Sequence, residues 1–212
     1  MNTRGKFIVI DGGEGSGKDV HCVHLQKILP KDEVFFTREP GGTKIGEAIC
    51  AVLLDSKHYG KISHSTELML FEAARAQHVD EVIRPALSRG LHIISNRFDL
   101  ATLAYQIEGR KLNDQNTLGF FSHVNSFVIG ECVPDLYILL DVLPEVGLSR
   151  KKSQGEINRF ELEKIEFHTR VREGFLKHVC KYPHCIIDAN RSKEEVRVDL
   201  ERIVFSTLGF AT

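Results

Sequence analysis

No charge of either sign dominates this chain. Its 28 Lys and Arg residues are nearly matched by 29 Asp and Glu. The basic excess that non-specific nucleic-acid binding wants is missing, so no nucleic-acid partner is expected. Any anion site must come from local arrangement. Long apolar runs are missing too. The start, Met1 to Lys6, leads into only about five apolar residues, too few for a signal-peptide core or a membrane span. No later stretch approaches the roughly 20 apolar residues a span needs. A cytoplasmic location with no membrane partner is the expectation. Cys-x-x-Cys is absent, and the cysteines (Cys22, Cys50, Cys132, Cys180 and Cys185) are odd in number, which favours reduced, mostly buried thiols. Cys180, His184 and Cys185 fit no common zinc spacing. His21 and His24 fall within the first predicted helix as exposed or internally satisfied side chains.

What is present alternates. Lys6 to Ile10 is a short apolar run ending in Asp11 and glycines, which predicts a buried strand followed by a loop. From Gly17 to Leu29, the apolar residues Val20, Val23, Leu25 and Ile28 roughly fit a helix that Pro30 ends. Further strands are predicted at Glu33 to Thr37, Leu91 to Ser95, Leu136 to Leu140 and Cys185 to Ile187. Helices are predicted around Ile45 to Leu53, from Ser65 to Arg89 with Gly90 as the stop, and over Leu100 to Gln106, Asn116 to Val128 and Lys193 to Leu208. Pro144 sits where a helix's first turn would be. Ser149 to Arg159 is polar and basic, contains Gly155, and predicts a mobile loop before a charged helix running to about Lys181. Strands alternating with helices argue for an α/β fold with a five-stranded parallel sheet flanked by helices. With no repeat, low-complexity tract or linker, residues 1–212 are expected to form a single domain with a lid at about 149–160.

Gly12-Gly13-Glu14-Gly15-Ser16-Gly17-Lys18 follows a strand and opens a helix, the context that a P-loop requires. Its glycines let successive N–H groups point at phosphate oxygens, the helix start adds positive potential, and Lys18 supplies a cation. Gly12 to Val20 are therefore the expected ATP-binding residues. The Ser or Thr hydroxyl that normally follows the lysine and meets Mg²⁺ is here Asp19. Carboxylate oxygen is also a hard ligand, so Asp19 is the candidate metal residue. It adds a negative charge beside the phosphates.

Other markers follow in order: Thr37-Arg38-Glu39-Pro40-Gly41-Gly42; Phe71 with Ala73-Ala74-Arg75-Ala76-Gln77; Arg97-Phe98; Ala104-Tyr105-Gln106; Pro134-Asp135-Leu136; Leu140-Asp141-Val142; and Gly155-Glu156 with Arg159. With these residues the chain resembles thymidylate kinase in its bacterial form, over almost its whole length. The resemblance implies a P-loop fold and phosphorylation of dTMP by ATP with Mg²⁺, in dTTP synthesis. It also implies a homodimer. Phe71 would stack on thymine, with Arg75 on the same helix face donating to O4. Thr102 and Gln106 would complete the base pocket. Tyr105 would pack on the deoxyribose, and Glu14 would reach the 3′-hydroxyl. Arg38 and Arg97 would hold the acceptor phosphate, Arg97 also meeting the donor. Members with an acidic P-loop residue carry transition-state cations in the lid, a role that Arg150, Lys151, Lys152 and Arg159 would fill beside Lys18.

The chain departs from the family pattern at Gln154, at Asn158 and above all at Asn96, where Asp is usual. Asp141, at the end of an apolar strand, resembles a Walker B acid but is expected to be structural. Two other functions stay open at this level. A nucleotide-binding relative with reduced or lost phosphoryl transfer would explain Asp19 and Asn96. A kinase for another monophosphate, such as dUMP, would keep the same cradle, and Phe71 with Arg75 argues against a purine.

Overall fold

The computed structural model describes residues 4–152 and 158–211. Strands β1 (Phe7–Gly12), β2 (Val34–Arg38), β3 (His92–Asn96), β4 (Leu136–Asp141) and β5 (His184–Asp188) form a parallel sheet in the order β2-β3-β1-β4-β5. Around it lie α1 (Lys18–Ile28), α2 (Lys44–Leu54), α3 (His64–His78), α4 (Arg84–Ser88), α5 (Asp99–Thr102), α6 (Gln115–Ile129), α7 (Pro144–Lys152), α8 (Ile165–Val179) and α9 (Lys193–Leu208). The chain leaves β1 toward the β2 edge and β4 toward the β5 edge. The loops diverge there and open a crevice at the carboxyl ends of the strands, where ligands of such sheets bind. No described helix is long and apolar enough to cross a membrane.

The continuous apolar run of β1 reflects burial on both faces. Phe7 and Val9 point into one core with Phe98, Leu139 and Phe175. Ile8 and Ile10 point into the other with Leu25, Ile138 and Val204. Helix starts carry their own stops for the chain's free N–H groups. Thr43, Ser63 and Asp114 each accept a first-turn N–H, Ser192 and Glu195 form a reciprocal capping box, and Pro144 opens α7.

Four expectations need correcting. The predicted helix from Ser65 to Arg89 is interrupted by a π-helical turn, Val79–Ile83. The helix predicted over Leu100 to Gln106 is α-helical only through Thr102 and then widens into a π-helical segment, Leu103–Gly109. Helix α8 is pressed against this segment: a Cβ on Gly109 would stand 2.8 Å from the Phe167 ring, and one on Gly174 2.9 Å from the Glu108 side chain. The extra residue per turn re-aims the side chains of Tyr105 and Gln106. The predicted loop from Ser149 to Arg159 begins as helix, because Arg150, Lys151 and Lys152 complete α7, where cations favour a helix C-terminus. Residues 153–157 of the expected lid, Gly155 among them, lie outside the described residues. Finally, α1 buries Lys18, His21 and Leu25, while Val20, Val23 and Ile28 are exposed. The cysteines divide as Cys50 and Cys132 buried, Cys22 and Cys185 half-buried, and Cys180 exposed. His24 bonds Glu201 at 2.6 Å, but His21 is buried, and its Nδ1 has no partner among the described residues.

The contact between α8 and the π-helical segment has an ionic clasp. Glu108 accepts from Lys177 (2.7 Å), His178 (2.8 Å) and Asn113 (3.0 Å). Burial alone would raise the Glu108 pKa, but these bonds outweigh it and lower the value from 4.5 to about 2. A carboxylate depressed in the folded state stabilises above its unfolded pKa, and that stability is lost as pH falls through the folded value. Lys177 is 57% exposed, so solvent screens part of this coupling and only part of the shift appears as stability. Glu108→Gln is therefore expected to be the less stable protein at neutral pH, with the gap to the natural protein closing between about pH 4.5 and 2. Urea unfolding of both proteins across that window checks this; a gap independent of pH would refute it.

Candidate active site

Strand β1 runs out into the glycine-rich turn, and α1 begins at Lys18. Gly12, Gly15 and Gly17 have φ of 157°, 66° and 89°, a region costly for other residues. Space is as limiting as angle: a Cβ on Gly15 would lie 2.0 Å from the Gly147 carbonyl, and one on Gly147 2.1 Å from that of Glu14. The turn thus rests directly on α7. Gly147 escaped the sequence reading, although glycine inside a helix costs about 1 kcal/mol against alanine and signals a close approach. Lys18 is buried, with Nζ 3.3 Å from the Gly13 carbonyl, and burial lowers its pKa. The Ser16 hydroxyl is buried with no partner among the described residues. Helix N–H groups, this hydroxyl and the ammonium converge as an anion cradle.

Beside the cradle, Arg97 follows β3 with φ of 73°. Such a conformation costs a non-glycine residue about 1–3 kcal/mol and persists where its surroundings enforce it. Here the Arg97 N–H donates to Ile10 (3.0 Å), and its carbonyl accepts from the Ser95 hydroxyl (2.7 Å). The guanidinium donates to Asp11 (3.1 Å), Glu14 (3.3 Å) and the Tyr105 oxygen (3.0 Å), and lies over the Tyr105 ring. Tyr105 in turn donates to Glu14 at 2.9 Å. Burial raises the Asp11 pKa to about 6, against the pull of Arg97. Burial also pushes Glu14 up, but the charges of Lys18 and Arg97 outweigh it and hold its carboxyl below the ordinary range.

A cavity of 210 Å³ opens from this triangle, walled by Glu14, Lys18, Asp19, Arg38, Phe71, Arg75, Asn96, Arg97, Thr102, Tyr105, Gln106 and Lys151. Every expected acceptor residue is in that wall. Arg75 is buried and donates to Glu39 (3.0 Å), to Thr102 (2.8 Å) and to Glu72. Three of its five N–H groups are so engaged. The Glu39 carboxylate also bonds His78 at 3.0 Å. Arg38 stands half-exposed at the mouth, held by both oxygens of Glu47 at 2.8 Å. Phe71 faces Phe160, with centroids 6.1 Å apart. Glu39, Glu47, Glu72, His78 and Phe160 were not anticipated. Glu72 stands only three positions before Arg75 on α3, but the partners of the others lie 9 to 89 positions away, and no local pattern announces those.

A second groove of 440 Å³ runs along the outer side of the cradle, lined by Gly15 to His21, Arg150, Lys151 and the turn Ala189 to Lys193 after β5. Val20 is exposed on its rim. Arg150 donates to the carbonyls of Ala189 (2.8 Å), Gly15 (3.4 Å) and Asn190 (3.4 Å), tying this turn to the P-loop. Lys151 lines both cavities, its Nζ 3.5 Å from Glu161. The other expected lid cations stand elsewhere. Since α7 continues through Lys152, neighbouring side chains diverge by about 100°, and Lys152 is exposed and lines neither cavity. Arg159 is buried, donating to Glu67 (2.5 Å) and the Leu53 carbonyl (2.8 Å). It acts here as a pillar between the α2 end and α3. Asp141 is bound through both oxygens to Arg172 (2.7 and 2.8 Å), a structural link from β4 to α8.

The donor set also tests a divalent cation. Asp19 and Asn96 present oxygen, and the Asn96 Oδ1 is buried without a partner among the described residues. No described group of three or more His, Cys, Asp or Glu gathers into a cage. One or two hard protein ligands, completed by phosphate and water, are what Mg²⁺ takes, and the residues fit it.

Comparison with known proteins agrees with this geometry. A family model described as thymidylate kinase matches residues 10–200. The chain is 44% identical over 204 residues to a thymidylate kinase of Protochlamydia amoebophila, covering 91% of this chain and 89% of that protein. It is 42% identical over 205 residues to one of Nitrosospira multiformis, covering 95% and 97%. A thymidylate kinase of Carboxydothermus hydrogenoformans is 41% identical over 195 residues, with 91% and 93% covered. A phosphate cradle sharing a wall with a base-sized cavity, and a match along nearly the whole length, together place this chain in the thymidylate kinase family.

Proposed function

We propose that this protein transfers the γ-phosphoryl group of ATP to dTMP, giving ADP and dTDP. The observation that carries this reading is the shared wall: Lys18 and Asp19 line both the outer groove and the cavity that holds Phe71 and Arg75. A donor and an acceptor phosphate would meet there. Thymine lies against Phe71, whose flat face suits any base edge. Arg75 selects the edge: its two remaining N–H groups suit a carbonyl such as thymine O4, and would confront the amino group of cytosine. Tyr105 packs on the deoxyribose and, with Glu14, bounds the 3′ side. Arg38 and Arg97 hold the acceptor phosphate. The donor phosphates lie on the N–H groups of residues 13 to 18, with the remaining nucleotide in the outer groove beside Arg150 and the Ala189 to Lys193 turn.

An acceptor oxygen then displaces ADP in line at the γ-phosphorus, with no covalent enzyme intermediate. Positioning and charge stabilisation carry the rate. Lys18, Arg97 and Lys151 offset the charge on the equatorial oxygens, Lys151 taking the part expected of Lys152 and Arg159. Mg²⁺, when bound, supplies further charge neutralisation at the donor phosphates, and Asp19 would hold it. The enzyme is taken to work in the cytoplasm as a homodimer; packing through α3 and α6 would cover the exposed Met69, Phe120 and Phe127, the last 88% exposed.

Coupled ADP release with each monophosphate tests the reading. The expected order is dTMP best, dUMP weaker and dCMP near background. Equal turnover of dCMP and dTMP would overturn the role of Arg75. ATP binding without ADP release for any acceptor would overturn phosphoryl transfer.

A further inference from the structure

The residue after the P-loop lysine and the last residue of β3 meet side by side. Asn96 Nδ2 donates to Asp19 Oδ1 at 2.6 Å. The pair sits where the two cavities join, Asp19 lining both. Asn96 also anchors the neighbouring loop, its carbonyl accepting from the Glu39 N–H at 3.0 Å. One side chain of the pair thus brings a charge, and the other an amide that fixes its rotation. Two carboxylates at this separation would repel each other, and two neutral groups would leave a cation without a counter-charge.

We infer that Asp19 and Asn96 act as one cation anchor, in which Asp19 is the direct ligand and Asn96 is a positioning residue that aims its free oxygen at the metal. The single negative charge belongs to the pair and can sit at either position. This rests on reading the P-loop as a triphosphate cradle.

The test uses Mn²⁺ as probe, followed by electron paramagnetic resonance, with a non-hydrolysable ATP analogue on the full-length protein. Analogue affinity is measured separately in EDTA. Asp19→Asn is expected to weaken Mn²⁺ in the ternary complex by about 100-fold and Asn96→Ala by about 10-fold. In EDTA, Asp19→Asn should instead tighten the analogue several-fold, because a negative charge beside the phosphates is gone. These opposite signs are what a merely structural role would not produce. Asp19→Thr alone loses Mn²⁺ affinity, and adding Asn96→Asp should return most of it. Unchanged Mn²⁺ affinity in Asp19→Asn, or simple additivity in the double variant, overturns the shared anchor. Failure of the natural protein to bind the analogue in either buffer overturns the cradle itself, and the anchor with it.

Discussion

Replacing Arg97 by alanine is expected to lower kcat/KM for dTMP by about a thousandfold, the scale of removing a preorganised cation from a phosphoryl-transfer site. The guanidinium is held by Asp11, Glu14 and Tyr105 on a backbone bent into the left-handed region. Little of that organisation is spent at the moment of reaction, because the ordering is already built into the fold. Arg97→Lys should recover little, since one ammonium cannot span three partners in a fixed fork. Steady-state kinetics on both variants, with melting curves to show that each is folded, decide the matter. A loss below tenfold in Arg97→Ala would remove Arg97 from the transition state.

The second large effect is on stability. Glu67 is fully buried and is surrounded by Arg110 (3.1 and 3.2 Å), Arg159 (2.5 Å) and Gln106 (2.9 Å). Burial raises its pKa, but the bonds from Arg110 and Gln106 and the charges of both arginines outweigh that and keep it ionised. Glu67→Ala leaves two cations facing each other across a buried space, and is expected to cost about 3–5 kcal/mol of unfolding free energy. Arg159→Ala should cost less, because Arg110 still pairs with Glu67. Its kcat, measured where it remains folded, should fall only modestly. Denaturant unfolding and kcat at low temperature are the readouts. An Arg159→Ala protein of natural stability whose kcat collapses would return Arg159 to the phosphates, as its position in the expected lid implied.

This second case marks where sequence ceases to decide. Arg159 stands close in sequence to Arg150 and Lys151, and a basic cluster beside a glycine suits phosphate contact. Nothing local says that Glu67, 92 positions earlier, has a buried carboxylate to satisfy. Likewise Arg150, Lys151 and Lys152 are equivalent cations until α7 is seen to include all three. Helical rotation then turns only Lys151 into both cavities.

Other parts were legible because their physics is local. The cradle needs glycines, a lysine and a strand-to-helix turn within a few residues, and the chain shows them in order. The strands follow from short apolar runs between helical stretches, which only a sheet covered on both faces can bury. Phe71 and Arg75 share a helix face by spacing alone. By itself the sequence therefore determined the parallel α/β architecture, the glycine-rich strand-to-helix turn and the placing of Phe71 and Arg75 on one helix face. Only the tertiary structure decided what depends on distant partners. It showed which cations line the cavities, that Gly147 is the floor of the P-loop, that a π-helical turn aims Tyr105 and Gln106, and that Asp19 and Asn96, 77 positions apart, share one hydrogen bond. The reason is that local preference acts over a turn or two of chain, whereas buried charge and close packing are settled by whichever side chain the fold brings within a few ångströms.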